Sequence, residues 1–178
     1  MAEWFEARVA GSRKAGDRLT ALDLDVSGTP LAREHVVPGQ YGMLSIEGVG
    51  QSFFAIASPP AGRPDLLEFL VKEGSALADA LIRAPVGASI RVSKPMGTGF
   101  PIDKARGKDV VLVATGSGIS PIRSLIEVIR RERTAFGQIT LYFGASGTRS
   151  IRHTLVACLI GDLAGFVGAT MACHAFFG

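Results

Sequence analysis

Residues Val110-Val111-Leu112-Val113-Ala114 form an unbroken apolar run that empties into Thr115-Gly116-Ser117-Gly118-Ile119-Ser120-Pro121. Such a run predicts a strand buried on both faces, as in a parallel sheet, and a helix-like segment follows over Ile122 to Arg133. Gly116 and Gly118 permit a tight turn with backbone close to whatever binds there. The first N–H groups of the next helix have no partner within it and carry partial positive charge, which favours a phosphate. A strand, a glycine turn and a helix start therefore describe a nucleotide pyrophosphate site at a strand's carboxyl end. The same residues also fit a tight turn that binds nothing. Thr-Gly-Ser-Gly is neither a complete Gly-x-Gly-x-x-Gly fingerprint nor a P-loop, because no Gly-Lys-Ser/Thr follows.

Composition narrows the classes. The 178 residues suffice for one generous domain or two compact ones, and 47% hydrophobic with 20% charged residues is ordinary for a globular protein. A net charge of +3 with no basic stripe interleaved with aromatics argues against nucleic-acid binding. Cys158, Cys173 and the three scattered histidines form no metal-ligand cluster and no disulfide framework. The start Met-Ala-Glu-Trp-Phe-Glu has no basic region or apolar core of a signal peptide, so a cytoplasmic location is the expectation.

The first hundred residues read mostly as strands. Trp4 to Ala10 and Leu19 to Val26 alternate as half-buried strands, with the polar segment Gly11 to Arg18 between them. Pro38-Gly39-Gln40-Tyr41 has the residue order of a type II turn, and Gly42 to Ile46 follows as a strand. Phe53 to Ala57, Leu66 to Lys72 and Ser89 to Val92 bring the total to about six short strands, which suggests a small antiparallel barrel or sandwich. One helix interrupts them, over Ser75 to Arg83, with Leu77, Ala80 and Leu81 on one face. Ser75 suits its N-cap, and Gly74-Ser75 at a helix start also suits a phosphate. Pro95 to Pro101 forms a glycine-jointed turn, after which the charged stretch Asp103 to Asp109 leads into the apolar run.

Six ordered blocks together resemble the ferredoxin–NADP reductase-like family. They are Pro-Gly-Gln-Tyr at 38–41, Ile56-Ala57-Ser58-Pro59-Pro60, Val71-Lys72-Glu73-Gly74-Ser75, Pro95 to Phe100, Ala114 to Pro121, and Leu141 to Ser146. They span residues from about 5 to 150. The resemblance implies an antiparallel β-barrel flavin domain over 1–102, then an incomplete α/β parallel-sheet NAD(P)-binding domain over 103–150. It implies a flavin-dependent oxidoreductase in which hydride passes between NAD(P)H and a flavin, FAD in preference to FMN. Electrons then leave to an unidentified acceptor, a protein among the candidates. The cofactors carry the chemistry, and the protein supplies position and electrostatics, so no side chain is assigned as catalytic.

By position, Phe54, Ala55, Ile56, Ala57 and Ser58 would line the flavin ring. Val71 and Lys72 would follow the ribityl and phosphate path, and Gly74, Ser75, Ala76 and Leu77 would meet the flavin pyrophosphate. Thr115, Gly116, Ser117, Gly118 and Ile119 would meet the nicotinamide nucleotide, with Gly144, Ala145 and Ser146 near its adenosine end. The flavin motif of most of the family, Arg-x-Tyr-Ser, reads Ser52-Phe53-Phe54-Ala55 here. Phe54 can still stack, but Ser52 cannot neutralise a pyrophosphate as a guanidinium would, and Ala55 offers no hydroxyl. Phe-Ala-Ile-Ala-Ser-Pro-Pro is similar to a divergent branch that includes plant fruit-protein-type reductase-like proteins. An ordinary buried aromatic strand is the competing reading.

After Ser150 the resemblance ends. The family's further parallel strands and its Cys-Gly segment beside the nicotinamide have no match, since Cys158 precedes Leu159 and Cys173 precedes His174. Residues 151–178 read as an atypical apolar tail, of the kind a frameshift or truncated gene produces. Leu155, Leu159 and Leu163 recur at helical spacing, and the run 154–173 is long enough to cross a bilayer. Asp162, its one charged residue, would cost on the order of 3 kcal/mol there, which favours a poorly specified helix or a disordered end over a membrane anchor. Only two parallel strands, Asp109 to Ala114 and Gln138 to Phe143, are predicted. Such a sheet leaves long edges and an uncovered apolar face. A flavin-binding fragment or electron-transfer subunit without a complete nicotinamide site is the alternative function.

Overall fold

The computed structural model describes residues 3–63, 65–145 and 154–159. Six strands, β1 (Trp4–Gly16), β2 (Leu19–Asp25), β3 (Tyr41–Ile46), β4 (Gly50–Ala55), β5 (Leu66–Lys72) and β6 (Ser89–Ser93), form one antiparallel sheet in the order β4-β3-β6-β1-β2-β5. The outer strands approach each other beyond the end of β4. Ile56 bridges Phe69, and the Ala57 N–H donates to the Glu68 carbonyl at 2.7 Å, so the sheet curls into a barrel. Curling hides the edges that an open six-stranded sheet would expose.

The sequence reads β2, β5 and β6 to within a residue. It places a polar connector over Gly11 to Arg18, whereas β1 continues to Gly16 through irregularities at Val9/Gly11 and Lys14/Gly16. A strand that absorbs extra residues in bulges loses the clean alternation by which strands are recognised. The reversal is confined to Asp17 and Arg18, with Arg18 at φ 55°. Two short helices flank the sheet: α1 (Leu31–Glu34), which periodicity does not reveal, and α2 (Ala76–Arg83). Leu77, Ala78 and Leu81 of α2 are buried against the barrel core around Phe69, Leu22, Leu24 and Ile90.

The second unit comprises β7 (Val110–Thr115), α3 (Ile119–Arg131), β8 (Ile139–Ala145) and β9 (Thr154–Leu159). A 3₁₀ turn over Gly116–Gly118 feeds directly into α3, which begins three residues earlier than the sequence reading. β7 and β8 are parallel, Val110 against Ile139 through Thr115 against Gly144. β9 joins β8 antiparallel, Leu159 against Thr140 through Thr154 against Ala145, so 154–159 is strand where leucine spacing suggests helix. The rest of the tail, 160–178, lies outside the described residues.

β7 is not buried on both faces. Leu112 and Ala114 pack beneath α3, while Val111 and Val113 are 64% and 66% exposed, with Tyr142 of β8 on the uncovered side at 37%. An apolar run thus becomes a one-sided strand because no second helical layer covers it among the described residues. The other face is well filled. Ile119, Ile122, Ile126 and Ile129 of α3 join Ile139 and Leu141, and this cluster continues into the barrel through Ala15, Leu19, Ala21, Ala57 and Leu70.

Candidate functional site

Where the barrel meets the second unit, the chain places four short segments together. The first is the exit from β4. After Ala55 the ladder with β3 stops, and the Ile56 N–H turns to the Gln40 carbonyl at 3.0 Å. The preceding Pro38-Gly39 turn has the expected type II form: Gly39 sits at φ +90°, and the Gln40 N–H donates to the Val37 carbonyl at 3.4 Å. Gln40 fastens that turn, with Oε1 accepting from the Val36 and Val37 N–H groups and Nε2 donating to the Gly97 carbonyl. Phe54 is half-buried against the barrel core, and Ile56 and Ala57 are fully buried. Phe53, given no role in the sequence reading, is the more exposed of the two phenylalanines and meets Tyr41 edge to face with ring centroids 5.6 Å apart. Strand alternation sets this division, since neighbours on a strand face opposite ways.

The second segment is the turn between β5 and α2. Val71 is buried and Lys72 exposed at the end of β5. Gly74 stands at φ +122°, and its N–H donates to Asp79 Oδ1 at 3.1 Å. Ser75 caps α2, its Oγ accepting the Ala78 N–H at 3.1 Å, while Ala76 and Leu77 supply first-turn N–H groups that no helical carbonyl reaches. A Cβ at Gly74 would lie 3.3 Å from Arg18 Nη2, so the guanidinium of the β1–β2 hairpin leans over this turn.

The third segment is the glycine turn after β7. Thr115 is extended, Gly116 has φ +50°, and Gly118 has an ordinary right-handed helical backbone. Gly116 therefore needs glycine for its conformation, whereas Gly118 does not. An added Cβ at either position would meet nothing within 4 Å, so open space lies over the turn. Ser117 sits between them, and Ile119, nearly inaccessible, anchors α3 in the core. The fourth segment ends β8. Gly144 pairs with Thr115, and Ala145 closes the strand, while Ser146 lies outside the described residues.

Helix α3 draws the first and third segments together. Ser120 Oγ donates to the Ala55 carbonyl at 3.2 Å, and Ser124 Oγ donates to the Ser58 carbonyl at 2.8 Å. Arg131 Nη1 reaches the Pro60 and Ala61 carbonyls at 3.2 and 3.3 Å. From the other side, Ser58 Oγ accepts the Glu68 N–H at 3.0 Å. Glu68 is a buried carboxylate between two guanidinium groups, Arg13 Nη2 at 2.6 Å and Arg123 Nε at 2.9 Å. Burial pushes the Glu68 carboxyl above its usual range, and Arg123 and Arg13 pull it back. None of these bonds is visible in periodicity, because all but the Ser58–Glu68 bond join residues more than fifty positions apart.

These features suit a dinucleotide in two places. The Gly74–Leu77 turn offers the amides of Ala76 and Leu77 and the nearby Arg18 guanidinium, itself 3.9 Å from the Glu73 carboxylate, groups of the kind a pyrophosphate takes. The 115–119 turn offers space and a helix start. Among the described residues no group of His, Cys, Asp and Glu could hold a metal ion.

Two units, an antiparallel barrel and a strand–glycine turn–helix layer, define a two-domain reductase fold. The family model for an oxidoreductase NAD-binding domain matches residues 112–155. Ferredoxin–NADP reductase B of Sorangium cellulosum is 32% identical over 150 residues, 81% of this chain and 59% of that protein. Sulfhydrogenase 1 subunit gamma of Pyrococcus furiosus is 34% identical over 103 residues, 58% of this chain and 35% of that one. Phthalate dioxygenase reductase superposes with a TM-score of 0.68 at 21% identity, covering 81% of this chain and 44% of that structure. A ferredoxin–NADP+ reductase from Neisseria gonorrhoeae, solved with bound FAD and NADP, gives 0.65 at 21% identity, covering 83% and 60%. The chain is similar to these reductases over more than half of its own length, and it spans less than two thirds of the length of the curated relatives.

Proposed function

We propose that this chain is a flavin-dependent NAD(P)H oxidoreductase, with residues 1–102 holding FAD and 103–150 offering the nicotinamide nucleotide, and 151–178 as an appended tail. The observation that carries this reading is the seating of the 115–119 turn beside the 55–58 segment, through the Ser120 and Ser124 hydroxyls. Two segments 60 residues apart meet at the junction of the two units, where two dinucleotides would have to meet.

FAD, when bound, supplies the hydride-accepting and electron-releasing chemistry. The residues given to it are Phe54, Ala55, Ile56, Ala57 and Ser58 along the ring, Val71 and Lys72 along the chain, and Gly74, Ser75, Ala76 and Leu77 at the phosphates. Arg18, leaning over Gly74, supplies the positive charge that Ser52 lacks. Thr115, Gly116, Ser117, Gly118 and Ile119 receive the nicotinamide nucleotide, with Gly144, Ala145 and Ser146 towards its adenosine. Positioning of this kind can lower a barrier without an acid or base. The acceptor is a redox protein of the ferredoxin type, which the relatives' names support, and the location is cytoplasmic. Among the described residues no helix is long and apolar enough to cross a membrane.

Anaerobic titration of the purified chain with FAD, followed by NADH or NADPH, tests the reading. The expected result is a yellow complex whose visible absorbance bleaches on nucleotide addition. A chain that takes up no FAD refutes it. Uptake without bleaching supports the second reading, a flavin-binding fragment or electron-transfer subunit, which the short sheet favours: among the described residues it holds three strands, the third antiparallel.

A further inference from the structure

We infer that Ser120 and Ser124 are positioning residues that hold the 55–58 segment at a fixed height against the nucleotide turn; the inference rests on the function proposed above. Beyond Ala55 the segment has left its β3 neighbour, and the carbonyls of Ala55 and Ser58 turn towards a helix of the other unit. A carbonyl shut away from water needs a donor, and at Ser124 the helix has no main-chain N–H to spare, while Ser120 stands in its first turn. Serine hydroxyls supply the missing donors. Both sit in α3, with Ser120 nearly and Ser124 wholly inaccessible.

The segment is held from both sides. On the barrel side the Ala57 N–H and Ser58 Oγ bond to the main chain of Glu68. On the helix side Ser120 takes the Ala55 carbonyl and Ser124 the Ser58 carbonyl. Glu68 then returns to α3 through Arg123. Ser58 is thereby fastened at its hydroxyl to one unit and at its carbonyl to the other. The same helix begins at the glycine turn, so a shift of α3 moves both halves of the site together.

The test compares Ser120→Ala/Ser124→Ala with the full chain and with Ser93→Ala, a buried barrel serine bonded to Met43 N–H and the Lys94 carbonyl. In protein without cofactor, amide hydrogen exchange at Ile56, Ala57 and Ser58 should rise about tenfold in the double variant, the effect of a lost hydrogen bond, and stay unchanged in Ser93→Ala. In FAD-loaded protein, the dissociation constant for FAD should change less than threefold, while single-turnover bleaching by NADH or NADPH slows tenfold or more. A uniformly loosened fold would move both quantities and the control alike. Exchange equal to that of the full chain overturns the inference, and so does bleaching at the full rate. If the full chain takes up no FAD, the functional reading fails, and the exchange result alone decides whether the serines couple the units.

Discussion

His35 shows how much a single buried ring can say about stability. It follows α1, has only 2% of its surface exposed, and burial pushes its pKa from 6.5 down to about 4. A histidine whose folded pKa is depressed contributes stability above its unfolded pKa. That contribution is lost as pH falls from 6.5 towards 4, because unfolding lets the ring take its proton. The window is worth about 3 kcal/mol at its lower end. Urea unfolding at pH 7 and pH 4.5 should therefore show a loss that His35→Leu largely abolishes; an equal acid loss in both proteins would assign it to other groups. Gly116 carries a different kind of information. At φ +50° with open space over its Cα, Gly116→Ala should cost about 1–2 kcal/mol of stability. Nucleotide affinity should fall tenfold or more, because the new methyl group stands where the phosphates would approach. Isothermal titration with NADPH alongside urea unfolding separates the two effects, and a fall in stability with unchanged affinity would place the nucleotide elsewhere.

At the scale of elements, legibility followed the range of the forces. β5, whose residues 66–72 are apolar except for Glu68 and Lys72, is read to the residue, and Ser75 is read as the cap it proves to be. Both are decided within a few positions. β1 is misjudged because its bulges break the alternation, and α1, at four residues, makes barely one turn and so never repeats a helical pattern. The candidate site divides in the same way. Its glycine turns and the Phe54 to Ser58 segment are legible, but the partners that fix them, Arg18, Glu68 and the serines of α3, become neighbours only through folding. β7 teaches the complementary lesson. Its apolar run implies two covered faces, and the structure gives it one, with Val111 and Val113 open. Val111→Thr/Val113→Thr should keep the strand, since threonine is also β-branched, while removing apolar surface. Light scattering during heating should show aggregation beginning at a higher temperature, with the unfolding midpoint moved by no more than about 2 °C. Unchanged aggregation would mean that this face is already covered.

The whole molecule is held by a core that ignores the boundary between its units. Ala57 and Leu70 of the barrel pack in the same cluster as Leu125 of α3 and Leu141 of β8, and Ala15, Leu19 and Ala21 extend that cluster along β1 and β2. Above it the Arg13–Glu68–Arg123 triad ties β1, β5 and α3 through one carboxylate. Domains that touch through small polar interfaces open and melt separately, whereas a shared apolar core makes each half the other's solvent shield. Parting the units here would wet buried leucines and alanines and strand the Ala55 and Ser58 carbonyls in the same event. Calorimetry of the chain without cofactor should accordingly show one transition, with calorimetric and van't Hoff enthalpies equal. Glu68→Ala removes the carboxylate between two guanidinium groups, one of them largely buried, at a cost of about 3–5 kcal/mol. That variant should lower the single transition as a whole if the units fold as one body. Two resolved transitions in the unaltered chain, or a Glu68→Ala profile in which only the second unit melts early, would show instead that the barrel stands alone and that α3 is merely docked upon it.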